Sequence, residues 1–347
     1  CCGRNRTPRS AISTVTSDEV VLTVLPLPTA DVAIPDLVAH WKFESNLIDD
    51  TGRGNNGTAR GQGTPPLAVA YVEGQIGSKA LHYETNLEDP SNFRCSYVEL
   101  GVRPDLQFGA DQDFSVAFWV RMPYNYVGGD LPFLCNALNS ANNPGYTIAP
   151  SFGLGDDGVA GGWGWSLYDN AAGGVNVYGA IGSINDGQWH HLVFSFDRQG
   201  LGVTYLDGLV VDSRLITGVG NLDTGNQTCI GQDPSGTYDM QNDEYPYPMS
   251  SAHLDDMGVF RRALSQLEAT SIYAAGLNGH SFVNKVVQQP TVTAQVQQDG
   301  TLRLQWEGGG TLQQADLVTG GFSDIAGATS PHTVAPAAAQ KFYRVKL

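Results

Sequence analysis

Apolar and polar residues alternate in short runs along most of the chain, and turn-forming residues separate the runs. Such runs fall at residues 37–43, 96–100, 114–121, 164–168, 190–196, 202–206 and 257–260. Each is too short for a helix and follows the period of two that turns one face of a strand inward. Between them stand Asp156-Asp157-Gly158, Asn185-Asp186-Gly187 and Asp207-Gly208, where Gly admits the left-handed backbone of a tight turn. Asp207-Gly208 sits at the centre of residues 203–211 and predicts a hairpin. One helix is expected, over residues 265–275, with Ser265 as its N-cap, Glu268 at the capping-box position and Gly276 as its stop. The pattern therefore predicts half-buried antiparallel strands, with Trp41, Trp119 and Trp189 anchoring a core between two sheets.

The same pattern divides the chain. Residues 1–35 hold one strand, at 17–25, followed by Pro26-Leu27-Pro28, which stops sheet pairing and reads as an extended linker. Val20, Leu22 and Val24 share one face of that strand, and a lone strand cannot bury its own apolar face. Residues 36–276 form the main β unit, residues 277–287 a linker, and residues 288–347 a small C-terminal β domain. In this last part, strands at 291–297 and 301–306 flank Gln298-Asp299-Gly300, and further strands are expected at 311–318, 332–334 and 341–347. A domain of roughly 60 residues is marginal by itself. Residues 233–251 read as a long loop that carries Tyr238, Tyr245 and Tyr247.

Composition narrows the class. With 42 Gly in 347 residues, 10% aromatics and 16% charged residues, the chain reads as an all-β globular protein and not a disordered one. A net charge of −16 repels phosphate backbones, so nucleic acid is not an expected partner, and it offers many oxygen ligands to divalent cations. No apolar run approaches the ~20 residues of a membrane-spanning helix. The chain starts at Cys1-Cys2 without Met, as after processing or truncation. Five cysteines, Cys1, Cys2, Cys95, Cys135 and Cys229, show no zinc spacing. Their pairing stays open between a Cys95 disulfide to Cys135 or Cys229, a link through the terminal cysteines to another chain, and buried thiols. Glycosylation sequons fall at Asn5, Asn56 and Asn226.

The central part resembles the laminin-G-like, or concanavalin-A-like, jelly roll of bacterial surface proteins. The segment 37–44 (LVAHWKFE) is similar to that family's first strand, and 49–58 (DDTGRGNNGT) to its Asp/Gly/Asn loop. The segments 97–100 (YVEL) and 114–120 (FSVAFWV) resemble two core strands, and 186–191 (DGQWHH) the lead-in to another. The segment 254–265 (LDDMGVFRRALS) resembles the family's closing strand and helix start. The order of these pieces carries the match over about two thirds of the chain. The resemblance implies an antiparallel jelly-roll β-sandwich that holds one Ca2+ through Asp49 or Asp50, Asn55, and Asp255 or Asp256. The N-terminal strand is similar to the last strand of a bacterial immunoglobulin-like domain, and the C-terminal domain is expected to be immunoglobulin-like.

No constellation for catalysis stands out. The alternating carboxylates of jelly-roll glycosidases are missing, since Asp111 and Asp113 lack a third partner. There is no G-x-S-x-G elbow and no phosphate loop. His190 and His191 are neighbours on a strand and point to opposite faces. The expectation is a non-enzymatic structural or adhesive protein, extracellular or at the cell surface. It would assemble with other copies of itself, the strand of Val20, Leu22 and Val24 completing a neighbour's C-terminal domain head to tail. The alternative is a calcium-dependent carbohydrate-binding module in which Tyr238, Tyr245 and Tyr247 stack on glycans.

Overall fold

The computed structural model describes residues 30–86, 94–124, 131–138, 143–150, 161–171, 173–177, 182–237, 249–284, 292–306, 310–316, 321–335 and 341–346. The strand of Val20, Leu22 and Val24 and the tyrosines Tyr238, Tyr245 and Tyr247 lie outside the described residues.

Fifteen strands form one sheet that curls over on itself. Its corner lies where Lys79–Asn86 meets Arg94–Gly101, paired at their ends through Thr85 with Cys95 and Asn86 with Arg94. One layer runs through Lys79–Asn86, Met249–Phe260, Phe114–Arg121, Trp189–Phe196, Leu201–Leu206 and Leu209–Leu215. The other runs through Arg94–Gly101, Thr228–Ile230, Leu134–Cys135, Gly145–Pro150, Trp163–Tyr168 and Gly174–Val177. Alternate residues of both layers point into a single core, where Leu81, Val116, Phe118, Val120, Leu192 and Phe194 face Val98, Tyr146, Ile148, Trp163 and Trp165. Edge-to-face rings join the layers, Trp163 with Phe194 at 5.9 Å and Trp165 with Phe196 at 5.1 Å. The fold is the antiparallel jelly-roll sandwich that the sequence predicts.

The central strands depart from simple alternation, because part of their second face is buried too. Phe114–Arg121 and Trp189–Phe196 pair in unbroken register, and Phe114–Val120 is buried throughout. The helix Gln266–Leu277 closes over the outward residues, so Ala117, Val193, Tyr205 and Phe260 form a second core with Leu264, Ala269 and Ile272. Ser265 caps this helix with the expected capping box to Glu268. Gly276 does not stop it. The helix continues through Leu277 to an Asn278 cap, and Gly279, at φ 72°, makes the turn. Gly276 instead lets the helix sit on Trp119, since a Cβ there would lie 2.5 Å from the indole.

The expected roles of the tryptophans change accordingly. Trp41 is in the sandwich core together with Trp163 and Trp165. Trp119 is buried on the other face, stacked at 5.7 Å on Tyr273 of the helix. Trp189 is only half-buried and belongs to the outer surface. The Asp207-Gly208 hairpin forms as expected, with φ of 52° and 77° at its two central residues.

The sandwich also runs past residues 36–276. Val32–Ile34 pairs in parallel with Phe282–Asn284, and Ile34 and Phe282 are buried in the second core. Cys95, Cys135 and Cys229 are buried, with Cys229 directly opposite Cys135 on the neighbouring strand. Burial pushes the Cys95 thiol up to about 11, so none of its reactivity is promoted by its surroundings.

The C-terminal part forms two three-stranded sheets. One contains Val292–Val296, Leu302–Trp306 and His332–Val334, the other Ser323–Asp324, Thr311–Ala315 and Phe342–Lys346. Leu304, Trp306 and Leu312 are buried between them, while Val292, Leu302, Ile325, Ala328, Val334, Tyr343 and Val345 are only partly covered.

Candidate functional site

Of the residues that the resemblance nominates for Ca2+, Asp49 and Asp256 are linked through His40, and the nominated carboxylates are bonded to protein donors. Asp49 is buried. Its Oδ1 accepts the backbone N–H groups of His40 and Thr51 at 3.0 Å and the Thr51 hydroxyl at 2.7 Å. Its Oδ2 accepts the N–H of Asn55 at 3.0 Å. Asn55 donates its amide to Val38 O at 2.8 Å and to Asp105 Oδ2 at 3.1 Å. Asp50 is exposed and forms an ion pair with Lys42. The loop is thus closed by its own side chains, as Asx turns are.

The Asp255-Asp256 pair lies at a bulge in Met249–Phe260, where Asp255 opposes Trp119 and the register resumes at Gly258 with Ala117. The extra residue re-aims Asp256, which sits at φ 49°. Its Oδ1 meets His40 Nε2 at 2.8 Å, and the Ser281 hydroxyl reaches Oδ1 at 2.8 Å and Oδ2 at 2.9 Å. Serine, histidine and aspartate thus meet here, but not as a relay. Ser281 contacts the aspartate directly and is 3.4 Å from His40 Nε2. All three residues are buried, and the hydroxyl faces no accessible surface on which a substrate would sit. The cluster is a knot that ties Asp31, which accepts the N–H of Ser281 at 2.8 Å, to the first strand and the bulge.

Asp255 turns the other way. Its Oδ2 accepts the N–H groups of Gln75 and Ile76 at 2.8 Å, and its Oδ1 is buried without a partner. Burial pushes its carboxyl up to about 8, against the pull of those two N–H groups. A shared Ca2+ needs six to eight oxygens with free lone pairs. Both oxygens of Asp49 and of Asp256 already accept protein donors, and Asp255 offers one oxygen that does not. Among the described residues no three His, Cys, Asp or Glu side chains gather as an ion would require. The donor set does not fit one shared cation.

Another constellation is on the surface, and it was not singled out in the sequence. On the first layer, Ala70 pairs with His82, His82 with His253, His253 with Arg121, and Arg121 with Trp189. Directly opposed residues share a face, so the five side chains form one row across five strands. Their chain neighbours Leu81, Ala252, Leu254 and Val120 point into the core, so the row points outward, where His82, His253, Arg121 and Trp189 are each half-buried. Arg121 donates from Nε to His253 Nδ1 at 3.0 Å, and its guanidinium lies 4.9 Å from the centre of the Trp189 ring. His82 and His253 meet edge to face at 5.0 Å. Burial, and then the charges of His82 and Arg121, hold His253 down to about 4. Along the same strands the helix covers the next outward residues, Trp119 and His191. The row is the part of this face that the helix leaves open. His190 lies on the opposite side from His191, bound to Asp207 at 2.9 Å and Asp186 at 3.2 Å.

These features define a jelly roll of the lectin type. Residues 95–270 match the laminin-G family model described as the Concanavalin A-like lectin/glucanases superfamily, and the chain belongs to that superfamily. No curated protein matches the chain. Among solved structures, the binding domain of Paraclostridial Mosquitocidal Protein 1 is similar at a TM-score of 0.51 and 16% identity, over 89% of this chain and 73% of that one. The binding domain of botulinum neurotoxin serotype G is similar at a TM-score of 0.49 and 18% identity, over 68% of this chain and 50% of that one. Domain 4 of the extracellular arabinanase AbnA from Geobacillus stearothermophilus, solved with arabinotriose, has a TM-score of 0.44 and 22% identity, over 68% of this chain and 97% of that one.

Two measurements address the carboxylates. Thermal unfolding with and without a chelator is expected to give the same melting temperature, since the loop closes on itself. A fall of several degrees, restored by added calcium, would mean that an ion holds the loop. The second concerns Asp255, whose carboxyl is pushed by burial from its ordinary 3.8 up to about 8. Between these values the unfolded chain releases a proton that the folded chain keeps, so this group's contribution to stability is full below the lower value and lost as pH rises through the upper. Asn at this position can accept the same two N–H bonds without charge. Asp255→Asn is therefore expected to raise the melting temperature relative to the parent by more at pH 8 than at pH 4. A variant that melts lower than the parent at the higher pH would show that the charged carboxylate stabilises the fold.

Proposed function

We propose that the protein is a non-catalytic carbohydrate-binding module of an extracellular or cell-surface protein. The observation that carries this reading is the in-register row of Trp189, Arg121, His253 and His82 on the part of an outward sheet face that the helix does not cover. A partly exposed indole offers an apolar ring to the C–H face of a sugar, and the flanking nitrogens offer hydrogen bonds to its oxygens. The state of the catalytic residue types supports a role without turnover. Asp113 accepts the backbone N–H of Arg198 at 2.8 Å, Asp111 binds Gln199, and Ser281 is locked in the buried knot. Among the described residues no helix is long and apolar enough to cross a membrane. Calcium is not part of this reading, because the row consists of nitrogen and aromatic groups.

A second reading, assembly by strand donation, is favoured by one observation. The C-terminal unit buries Leu304, Trp306 and Leu312 fully but leaves seven surrounding apolar residues half-covered, and Val296 on its outer strand is 76% exposed. An added strand from another copy, with Val20, Leu22 and Val24 directed inward, would cover such a surface.

Each reading has its own test. An array of immobilised polysaccharides, probed with the full chain, is expected to show binding that Trp189→Ala weakens by about tenfold or more, about 1.4 kcal/mol, while the melting temperature holds. Binding unchanged by the substitution would place the site elsewhere. For assembly, electron micrographs and sedimentation of the full chain are expected to show filaments that Leu22→Asp abolishes, because a buried unpaired charge is costly. A parent that stays monomeric at high concentration would remove this reading.

A further inference from the structure

The row on the outer face is unusual for this chain in its charge. Formal charge is −16, from 35 acidic against 19 basic residues. Four arginines of the sandwich meet carboxylates, Arg53 with Asp105, Arg60 with Glu99, Arg214 with Asp212 and Arg262 with Glu268, while Arg103, Arg198 and Arg261 donate to backbone carbonyls. Arg121 does neither. Among the described residues it forms no ion pair with a carboxylate, and it rests on His253 and Trp189. Because Arg121 donates to His253 Nδ1, the neutral His253 ring carries its proton on Nε2 and is itself a donor. His82 has a buried Nδ1 without a partner, and its Nε2 lies 3.5 Å from Glu84.

The hydrogen-bonding character of the row follows from these residue types. Sugar hydroxyls both donate and accept, so a site for a neutral sugar needs acceptors as well as donors. Guanidinium has five donors and no acceptor, and the His253 acceptor is already used by Arg121. Among the described residues, Glu84 stands at the His82 end, three strands from Trp189, and Asp255, two residues from His253, is fully buried and bonded to the N–H groups of Gln75 and Ile76. The middle of the row is therefore rich in donors and poor in acceptors. Such a surface complements a ligand group that only accepts, and a carboxylate matches the planar fork of Arg. At the spacing of adjacent strands, the row from His82 to Trp189 spans about 14 Å, which accommodates a short oligosaccharide.

We propose that this face binds an acidic sugar directly, without a metal: a hexuronate unit of a polysaccharide lies against Trp189 and places its carboxylate between Arg121 and His253. The proposal rests on the carbohydrate-binding reading and adds the charge of the ligand. The negative charge of the remainder of the protein does not oppose it at close range, since Arg121 carries an uncompensated positive charge among the described residues and salt screens charges beyond about 8–10 Å.

The test compares oligogalacturonates with the same oligomers methyl-esterified, which removes the charge and keeps the sugar. Oligomannuronates and hyaluronan tetrasaccharide extend the acidic set, and xylo-, cello- and arabino-oligosaccharides the neutral set. Titration calorimetry uses the full chain in chelator at an ionic strength of about 0.1 M. At least one acidic probe is expected to bind about tenfold or more tighter than its neutral counterpart. Arg121→Gln is expected to abolish that preference and Arg121→Lys to retain part of it, while Trp189→Ala weakens binding whatever the charge. Melting curves identify any variant that does not fold, and loss of the preference on adding salt provides a second readout with the unaltered protein. Trp189-dependent binding of neutral probes at the same strength as acidic ones overturns the proposal and leaves the carbohydrate reading standing. Absence of Trp189-dependent binding across both sets overturns both.

Discussion

The jelly roll depends on burying its central strands on both faces. Phe118, Val120, Leu192 and Phe194 face the opposing layer, while Ala117 and Val193 of the same strands face the helix side. Apolar burial scales with the area removed from water, and the helix Gln266–Leu277 is what removes the second face. Its closeness is set by Gly276, which has no side chain to hold it off Trp119. Because the helix is short, it covers only part of the layer. What it leaves is the row from His82 to Trp189, so the proposed binding surface exists because the covering element ends where it does.

The polar interior is equally economical. Each carboxylate near the first strand is answered by a protein donor, apart from one oxygen of Asp255. The bulge before Gly258 sends Asp255 and Asp256 to different partners, one to the Gln75 and Ile76 backbone and the other to His40 and Ser281. Neighbouring carboxylates are thereby separated in function as well as in space. The Asp49 loop and the bulge communicate through His40, whose backbone N–H serves Asp49 and whose ring serves Asp256.

Much of this architecture is legible in the sequence where local rules decide. The strand at Phe114–Arg121 follows from its apolar run, the hairpin from Asp207-Gly208, and the helix start from Ser265 and Glu268. Residues whose role depends on distant partners are less legible. Trp119 and Trp189 look alike as strand aromatics, and only the position of the helix makes one buried and the other surface. Gly276 carries the signature of a helix stop, yet its role is contact with Trp119. Asp49, Asn55, Asp255 and Asp256 fit a list of oxygen ligands, but a list does not say where each oxygen points. The row of His82, His253, Arg121 and Trp189 is scattered over four strands and becomes visible only when registers are known. One signal was available: Trp189 precedes two histidines at the start of a strand, where alternation assigns it to the opposite face from the core residue Leu192.

The parallel pairing of Val32–Ile34 with Phe282–Asn284 has a mechanical consequence. The chain enters the sandwich along one of these strands and leaves along the other, and in a parallel pair these two directions are opposed. Tension applied through the flanking segments pulls the two strands lengthwise past each other. Their hydrogen bonds are then strained together and not opened one by one, and the His40, Asp256 and Ser281 contacts beside them resist the same slide. A domain closed in this way transmits force along the chain while its outer face stays intact.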